Sequence, residues 1–432
     1  MIGVLTALAA FTKAPVDADF LPPLSQTVIY ESNLRALGPS GGFRELTDRL
    51  DGLKKLGINV LWLMPIMPVG KVKAVPPMGS PYAVADYGKV NPEFGTTEEF
   101  SRLVKKAHRR KIAVMLDWVA NHTAWDNPWL TAHPDWYTHD ASGAITHPPG
   151  TNWMDVADLN YDVAPMRLAM IAAMQSWVTK YGVDGFRCDA ADYVPLDFWK
   201  EAISSLRAKS GKRLLMLGEG GNRGLYGSGF DLLYGWDFYG KLRSIFGGGK
   251  ASGLSGVASE GLRLGFITNH DESAFHDPYV QVFGGEEGSE AAFLITALYG
   301  GVPLVYEGQE VGWPKAIPIF ERSSIDWNSG PAVRAWMTRL LDVRRKHEAF
   351  QTGTVTDFST NDVVAFARVG KGETGLVLAN VRNRPIEVDI PARWQGQWTD
   401  GFSLEPTTLG TSIHLPAFGT KVCIRPRGNG IH

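Results

Sequence analysis

Short apolar runs alternate along residues 28–310 with longer stretches whose apolar positions recur every three or four residues. The runs are VIYESNLR (28–35), INVLWLMP (58–65), IAVMLDWVANH (112–122), VDGFRCDA (183–190), RLLMLGEG (213–220), FDLLYGWD (230–237), LRLGFITNHD (262–271) and VPLVYEGQE (302–310). Their bodies are apolar throughout rather than alternating, as in parallel strands covered on both faces. Between them, GFRELTDRLDGLKKLG (42–57) and TEEFSRLVKKAHRRK (97–111) have helical spacing, and Thr96 with Glu99 forms a capping-box pattern before the second. A helix over 165–181 opens at Pro165 and carries Leu168, Ile171, Met174, Trp177, Val178 and Tyr181 on one stripe. Pro195 and Pro331 are placed to start the helices after the fourth and eighth strands. Eight strands alternating with helices predict an α/β fold, a (β/α)8 TIM barrel.

Two regions break this grammar. Residues 123–163 are rich in Trp, His, Pro, Asp and Asn and are too long for an ordinary barrel loop, which predicts a short inserted lobe after strand 3. After Phe350 come short alternating segments: TVTDFS, DVVAFARVG, TGLVLANV, IEVDI, SIHLPA and KVCIRP. They predict a C-terminal antiparallel β-sandwich. The expected domains are a barrel over 25–122 and 164–350, the lobe over 123–163, and the sandwich over 351–432. Residues 1–24 are an extension or the remnant of an export signal. IGVLTALAAF (2–11) is apolar and VDA (16–18) loosely resembles a cleavage site, but no Lys or Arg precedes the run. It is too short to span a bilayer, and no other stretch could cross one. An export signal would make the protein periplasmic or secreted; a plain extension would leave it cytoplasmic.

A net charge of −2 gives no electrostatic case for nucleic acid or an anionic membrane surface. The 14 Trp, 13 Tyr and 20 Phe change the picture slightly: aromatic faces suit sugar rings, although most fill the core. Trp125, Trp129, Trp136 and Trp153 could line sugar subsites or form a core for the lobe. Cys188 and Cys423 are far apart in the chain, and Cys188 reads as a small buried strand residue rather than a nucleophile.

The chemistry concentrates in four segments, DWVANH (117–122), GFRCDAAD (185–192), LGEGG (217–221) and FITNHD (266–271), each closing a predicted strand. Parallel barrels gather their sites above the strand ends, so Asp189, Glu219 and Asp271 could meet at one mouth. Paired carboxyl groups cleave glycosidic bonds with retention when one is nucleophilic and the other acidic. An Arg two residues before a carboxylate shares its strand face and should lower its pKa. A partly buried glutamate near other carboxylates should have a raised one.

In order and spacing these segments resemble the four signature regions of the α-amylase family of glycoside hydrolases, family 13, and the resemblance runs from about residue 28 to 428. It implies that Asp189 is the nucleophile, Glu219 the general acid/base, and Asp271 the carboxylate that grips sugar hydroxyls. It implies further that Arg187 keeps Asp189 ionised, that His122 and His270 bind the sugar, and that Tyr82, in SPYAVADY, stacks beneath it. The YEGQEVG (306–312) and IDW (325–327) segments are similar to those of bacterial α-amylases with a short lobe. The implied substrate is starch, a maltodextrin or another α-1,4-linked glucan. An α-glucosidase, a maltogenic or pullulan-active hydrolase and a transglycosylase of the same fold are alternatives, as is an inactive glucan-binding accessory protein.

The pattern is not followed everywhere. Asp192 and Tyr193 stand where many endo-acting members carry Lys-His on the acceptor side. No cofactor is implied for the chemistry. Asn121 and Asp158 resemble contributors to a structural calcium site, but two side chains are few for an ion that takes six to eight oxygens. Asn121 reads equally as a residue hydrogen-bonded to the lobe.

Overall fold

The computed structural model describes residues 19–39, 41–256 and 262–427, so the apolar run 2–11 and the VDA segment lie outside the described residues. Among the described residues, ten strands precede residue 310: β1 (Ile29–Ser32), β2 (Val60–Leu63), β3 (Ala113–Val119), β4 (His122–Ala124), β5 (Val156–Asp158), β6 (Gly185–Asp189), β7 (Leu215–Gly218), β8 (Leu232–Tyr234), β9 (Arg263–Gly265) and β10 (Val302–Tyr306). Eight of them close into a parallel barrel in the order β1-β10-β9-β8-β7-β6-β3-β2, and β4 pairs with β5 as a separate antiparallel hairpin. The fold is therefore the TIM barrel that the alternation predicts. Its register sets Asp117 of β3 beside Arg187 of β6, and Val119 beside Asp189. The β6–β7 approach is so close that a Cβ on Gly185 would lie 2.0 Å from the Leu215 carbonyl oxygen.

The helices follow their apolar spacing. Phe43–Leu56 buries Phe43, Leu46, Leu50, Leu53 and Leu56 and stops at Gly57, whose φ of 109° suits glycine. Thr97–Arg109 begins in the expected box: the Glu99 amide donates to Thr96 Oγ1, and the Thr96 amide to Glu99 Oε2 at 3.0 Å. The helix Ala164–Tyr181 departs from expectation at Leu168, which is 61% exposed. Its buried stripe runs instead through Met166, Met170, Met174 and Val178, every fourth residue, with Ile171 and Trp177 beside it.

The seventh barrel strand also differs. It ends at Gly265, and the Asn269 side chain accepts the Glu272 amide to cap a helix, His270–Phe275. His270 and Asp271 therefore stand in a first helical turn rather than at a strand end, because Asn269 offers the backbone a cap in place of the ladder.

Beyond the barrel lie β11 (Thr354–Asp357), β12 (Val363–Val369), β13 (Glu373–Asn380), β14 (Ile386–Asp389), β15 (Gly396–Asp400), β16 (Pro406–Leu409), β17 (Ser412–Leu415) and β18 (Thr420–Pro426). Six form an antiparallel sheet, β11-β12-β13-β18-β15-β16, and β14 pairs with β17. β15 and β16 were not among the expected strands. The sheet has two apolar faces: Val364, Phe366, Val377, Ala379, Val422 and Ile424 join the barrel core, while Val363, Ala365, Leu376, Leu378 and Cys423 pack with Trp394 and Trp398. Both cysteines are buried and free.

Candidate active site

The strand ends converge on a cleft of about 420 Å³ lined by Tyr82, His122, Asp189, Glu219, His270 and Asp271, with Trp153, Phe275 and Phe320 on its walls. Arg187 lies beneath it, fully buried. Alternation along β6 puts Arg187 and Asp189 on one face, and their side chains meet at 2.8 Å (Nη1 to Oδ1). The same Nη1 donates to Asp117 Oδ1 at 2.9 Å, and Nε donates to the Tyr234 hydroxyl at 3.1 Å. Nη2 sits 3.0 Å from Glu219 Oε2 as an ion pair, off the line that a hydrogen bond requires. After Asp189 the chain turns through a left-handed Ala190 (φ 44°), whose amide donates to Glu219 Oε2 at 2.8 Å. One guanidinium thus ties three carboxylates together.

Across the cleft, the Tyr82 hydroxyl bridges His270 Nε2 at 2.7 Å and Asp117 Oδ2 at 3.2 Å, and its ring stacks on the His270 ring. Trp62 Nε1 also donates to Asp117 Oδ2. Asp271 Oδ2 lies 3.4 Å from His270 Nε2, and its side chain is about one-third exposed. His122, at the start of β4, packs its ring edge against Trp153.

Burial dominates the electrostatics. It pushes Glu219 up to about 7, with Arg187 opposing and Asp189 and Asp271 adding to the rise. Asp189 is also raised, to about 6. The expectation of a low pKa for Asp189 is therefore corrected: Arg187 pulls it down, but desolvation and the nearby Asp117 outweigh that pull. Both carboxyl groups are therefore held above the ordinary carboxylate range, which keeps a proton within reach of the pair near neutral pH. Burial lowers His122 to about 4, leaving it neutral. For His270 burial opposes the charge, yet Asp271 and Glu31 raise it to about 9.

This arrangement can hold a proton on one carboxyl group beside an ionised second one, which is what glycosyl transfer requires. A family model described as the α-amylase catalytic domain matches residues 25–155. The α-amylase MalA of Haloarcula japonica is 28% identical over 401 residues, covering 86% of this chain and 57% of the relative. The chain therefore spans little more than half of that relative's length. The maltogenic α-amylase AmyB of Thermotoga neapolitana has a solved structure that superposes with a TM-score of 0.84 at 27% identity, over 94% of this chain and 99% of that one. An α-amylase from Lactobacillus plantarum gives 0.84 at 26% identity, over 93% and 99%. Along most of its length the chain is thus similar to α-amylases, a family of glycoside hydrolases.

In this amylase-like chain the structure brings all seven sequence-nominated residues to one cleft: Asp189, Glu219, Asp271, His122, His270 and Tyr82 line it, and Arg187 supports it. Sequence reasoning missed Asp117 and Glu31. Each is a carboxylate inside an otherwise apolar strand, a signal that could have exposed both. The tryptophans divide between their two readings. Trp129 and Trp136 pack edge to face, with Tyr87 against Trp129, as the lobe's core. Trp125 is fixed by Met154 O and capped by Lys73. Trp153 lines the cleft.

Asp192, just past the Asp189 strand end, is a loop clamp, its carboxylate accepting the Gly221 amide at 2.7 Å and the Asn222 amide at 3.2 Å. A Cβ on Gly220 would lie 2.3 Å from Asp192 Oδ1, so glycine permits this approach beside Glu219. Tyr193 is exposed and its ring faces Trp153. The Asn121 carbonyl accepts the Leu159 amide of the lobe, and its Nδ2 faces His122 Nδ1 at 3.2 Å. With Asp158 it supplies one amide and one carboxylate, a donor set short of what calcium takes. Among the described residues, no three His, Cys, Asp or Glu side chains gather as a metal site would need.

Proposed function

We propose that this chain is a retaining glycosidase that cleaves α-1,4-glucosidic bonds of starch, maltodextrins or maltooligosaccharides. The observation that carries the reading is the Arg187 bracket, which holds Asp189 and Glu219 on neighbouring nitrogens while burial raises both carboxyl groups. In the first step Glu219 gives its proton to the leaving glycosidic oxygen while Asp189 Oδ attacks the anomeric carbon, forming a glucosyl ester. In the second, Glu219 takes a proton from water, the water oxygen attacks the same carbon, and Asp189 leaves as a carboxylate. Asp271, His270 and neutral His122 hold the sugar hydroxyls as positive charge develops on the ring. Tyr82 presents its ring to the cleft from the position that its bonds to His270 and Asp117 impose.

A second reading, release of short products such as maltose, is favoured by the acceptor side. There Asp192 is committed to the loop, and the exposed Tyr193 packs against Trp153 of the cleft wall. Likeness to a maltogenic α-amylase supports the same view. Timed product analysis with amylose, maltoheptaose, pullulan, cyclodextrin and sucrose tests both readings, with the anomer of the first product followed by NMR. Release of α-configured maltooligosaccharides is expected. Maltose as the dominant early product selects the second reading, while β-configured products or no cleavage of any α-glucan overturn the proposal.

A further inference from the structure

The reaction above assigns nothing to Glu31, although it is a fully buried carboxylate in a barrel strand directly behind the cleft. Its Oε1 faces Nδ1 of His270, and its other oxygen has no hydrogen-bond partner in the protein. The hydrogen positions on His270 follow from the chain of contacts. The Tyr82 hydroxyl has one hydrogen, and Asp117, already holding Arg187, accepts it at Oδ2. That leaves a Tyr82 lone pair for His270 Nε2 at 2.7 Å, so Nε2 carries a hydrogen. Nδ1 faces a carboxylate and carries one too. The ring is therefore an imidazolium, and the groups facing it are Glu31 from β1, Asp117 from β3, Arg187 from β6, Asp271 beside it, and the Tyr82 and Trp62 rings.

We propose that Glu31 is a positioning residue that grips the His270 ring at Nδ1 and supplies its counter-charge, so that Nε2–H is held toward the Tyr82 hydroxyl, beside Asp271, and fixes the Tyr82 ring in the cleft wall. A ring held at one nitrogen by a buried carboxylate has a fixed orientation and a fixed donor at the other nitrogen. Without the carboxylate, burial and the Arg187 charge disfavour a cationic ring with only Asp271 left to oppose them, so the ring gives up its second hydrogen at a lower pH. The kinetic consequence rests on the glycosidase reading; the protonation state does not.

The test is long-range ¹H–¹⁵N NMR of the whole protein with labelled histidine, the His270 signals being identified by their loss in His270→Gln. Both His270 nitrogens should be protonated at neutral pH in the parent. In Glu31→Gln the titration midpoint should fall by at least about one unit, and Glu31→Asp should restore most of it. In kinetics Glu31→Gln should lower kcat roughly 10- to 100-fold with little change in KM, and Glu31→Asp should recover activity. A His270 ring with an unprotonated nitrogen at neutral pH in the parent overturns the inference, and this readout stands even if Glu31→Gln does not fold. An unchanged midpoint in Glu31→Gln overturns it as well. Should the protein cleave no glucan, the proposed function falls while the NMR result still decides the role of Glu31.

Discussion

Asp189 and Glu219 each accept one hydrogen bond, from Arg187 Nη1 and from the Ala190 amide, and burial holds both above the ordinary carboxylate range. With Asp189 near 6 and Glu219 near 7, kcat/KM should rise as pH passes about 6 and fall beyond about 7. Glu219→Gln should cut hydrolysis by about 10³-fold and erase the alkaline limb from whatever activity remains; a pH–rate series on both proteins checks this. The same shifts carry a stability signature. Both folded-state values lie above those of the unfolded chain, so their contribution is fully present below the unfolded values and is lost as pH rises through 6 to 7. Glu219→Gln should therefore melt higher than the parent at pH 8, and the gap should close at acid pH. Asp189 is one of the charges that raise Glu219. In the proposed mechanism, esterification of Asp189 removes that charge, so Glu219 becomes easier to deprotonate for the step in which it accepts a proton from water.

Among the elements, those with local chemistry behind them were legible from sequence. The helix after Thr96 is an example: Thr96→Ala should lower stability by about 1 kcal/mol, measured as a small fall in denaturation midpoint with activity unchanged. Strand bodies were legible because apolar residues fill both faces, and β6 reads directly into Arg187 and Asp189 on one face. What escaped was set by tertiary contacts. Leu168 fits a helical stripe on paper, but the barrel lies against the Met166–Met170–Met174 line instead. β9 stops at Gly265 because Asn269 caps a helix, and the apolar FIT segment alone does not reveal that. Tyr82 sits in a proline-rich loop, and only the His270 and Asp117 contacts define its pose. The conflict at Asp189, an Arg nearby yet a raised pKa, likewise required knowing how deeply both groups are buried.

On the scale of the whole molecule, the C-terminal sheet is part of the barrel's core rather than an appendage. Val364, Phe366, Val377 and Val422 complete the same apolar cluster as the barrel helices, and Arg382 reaches across to the Ile245 and Gly249 carbonyls at 2.7 and 2.6 Å. Thermal unfolding should be a single transition, and a chain ending at residue 350 should yield no folded barrel. Phe366→Ala should cost about 3–5 kcal/mol, read as a drop in melting temperature of the entire protein; two separate melts would contradict this coupling. The inserted lobe is coupled differently. His122 is itself a rung of the hairpin that roots it, paired with Asp158, while the outer turn around His139 and Ile145 lies further out. Engineers who lengthen or replace that outer turn would thus be working on a handle, whereas any change at the root moves a fingertip that reaches into the cleft.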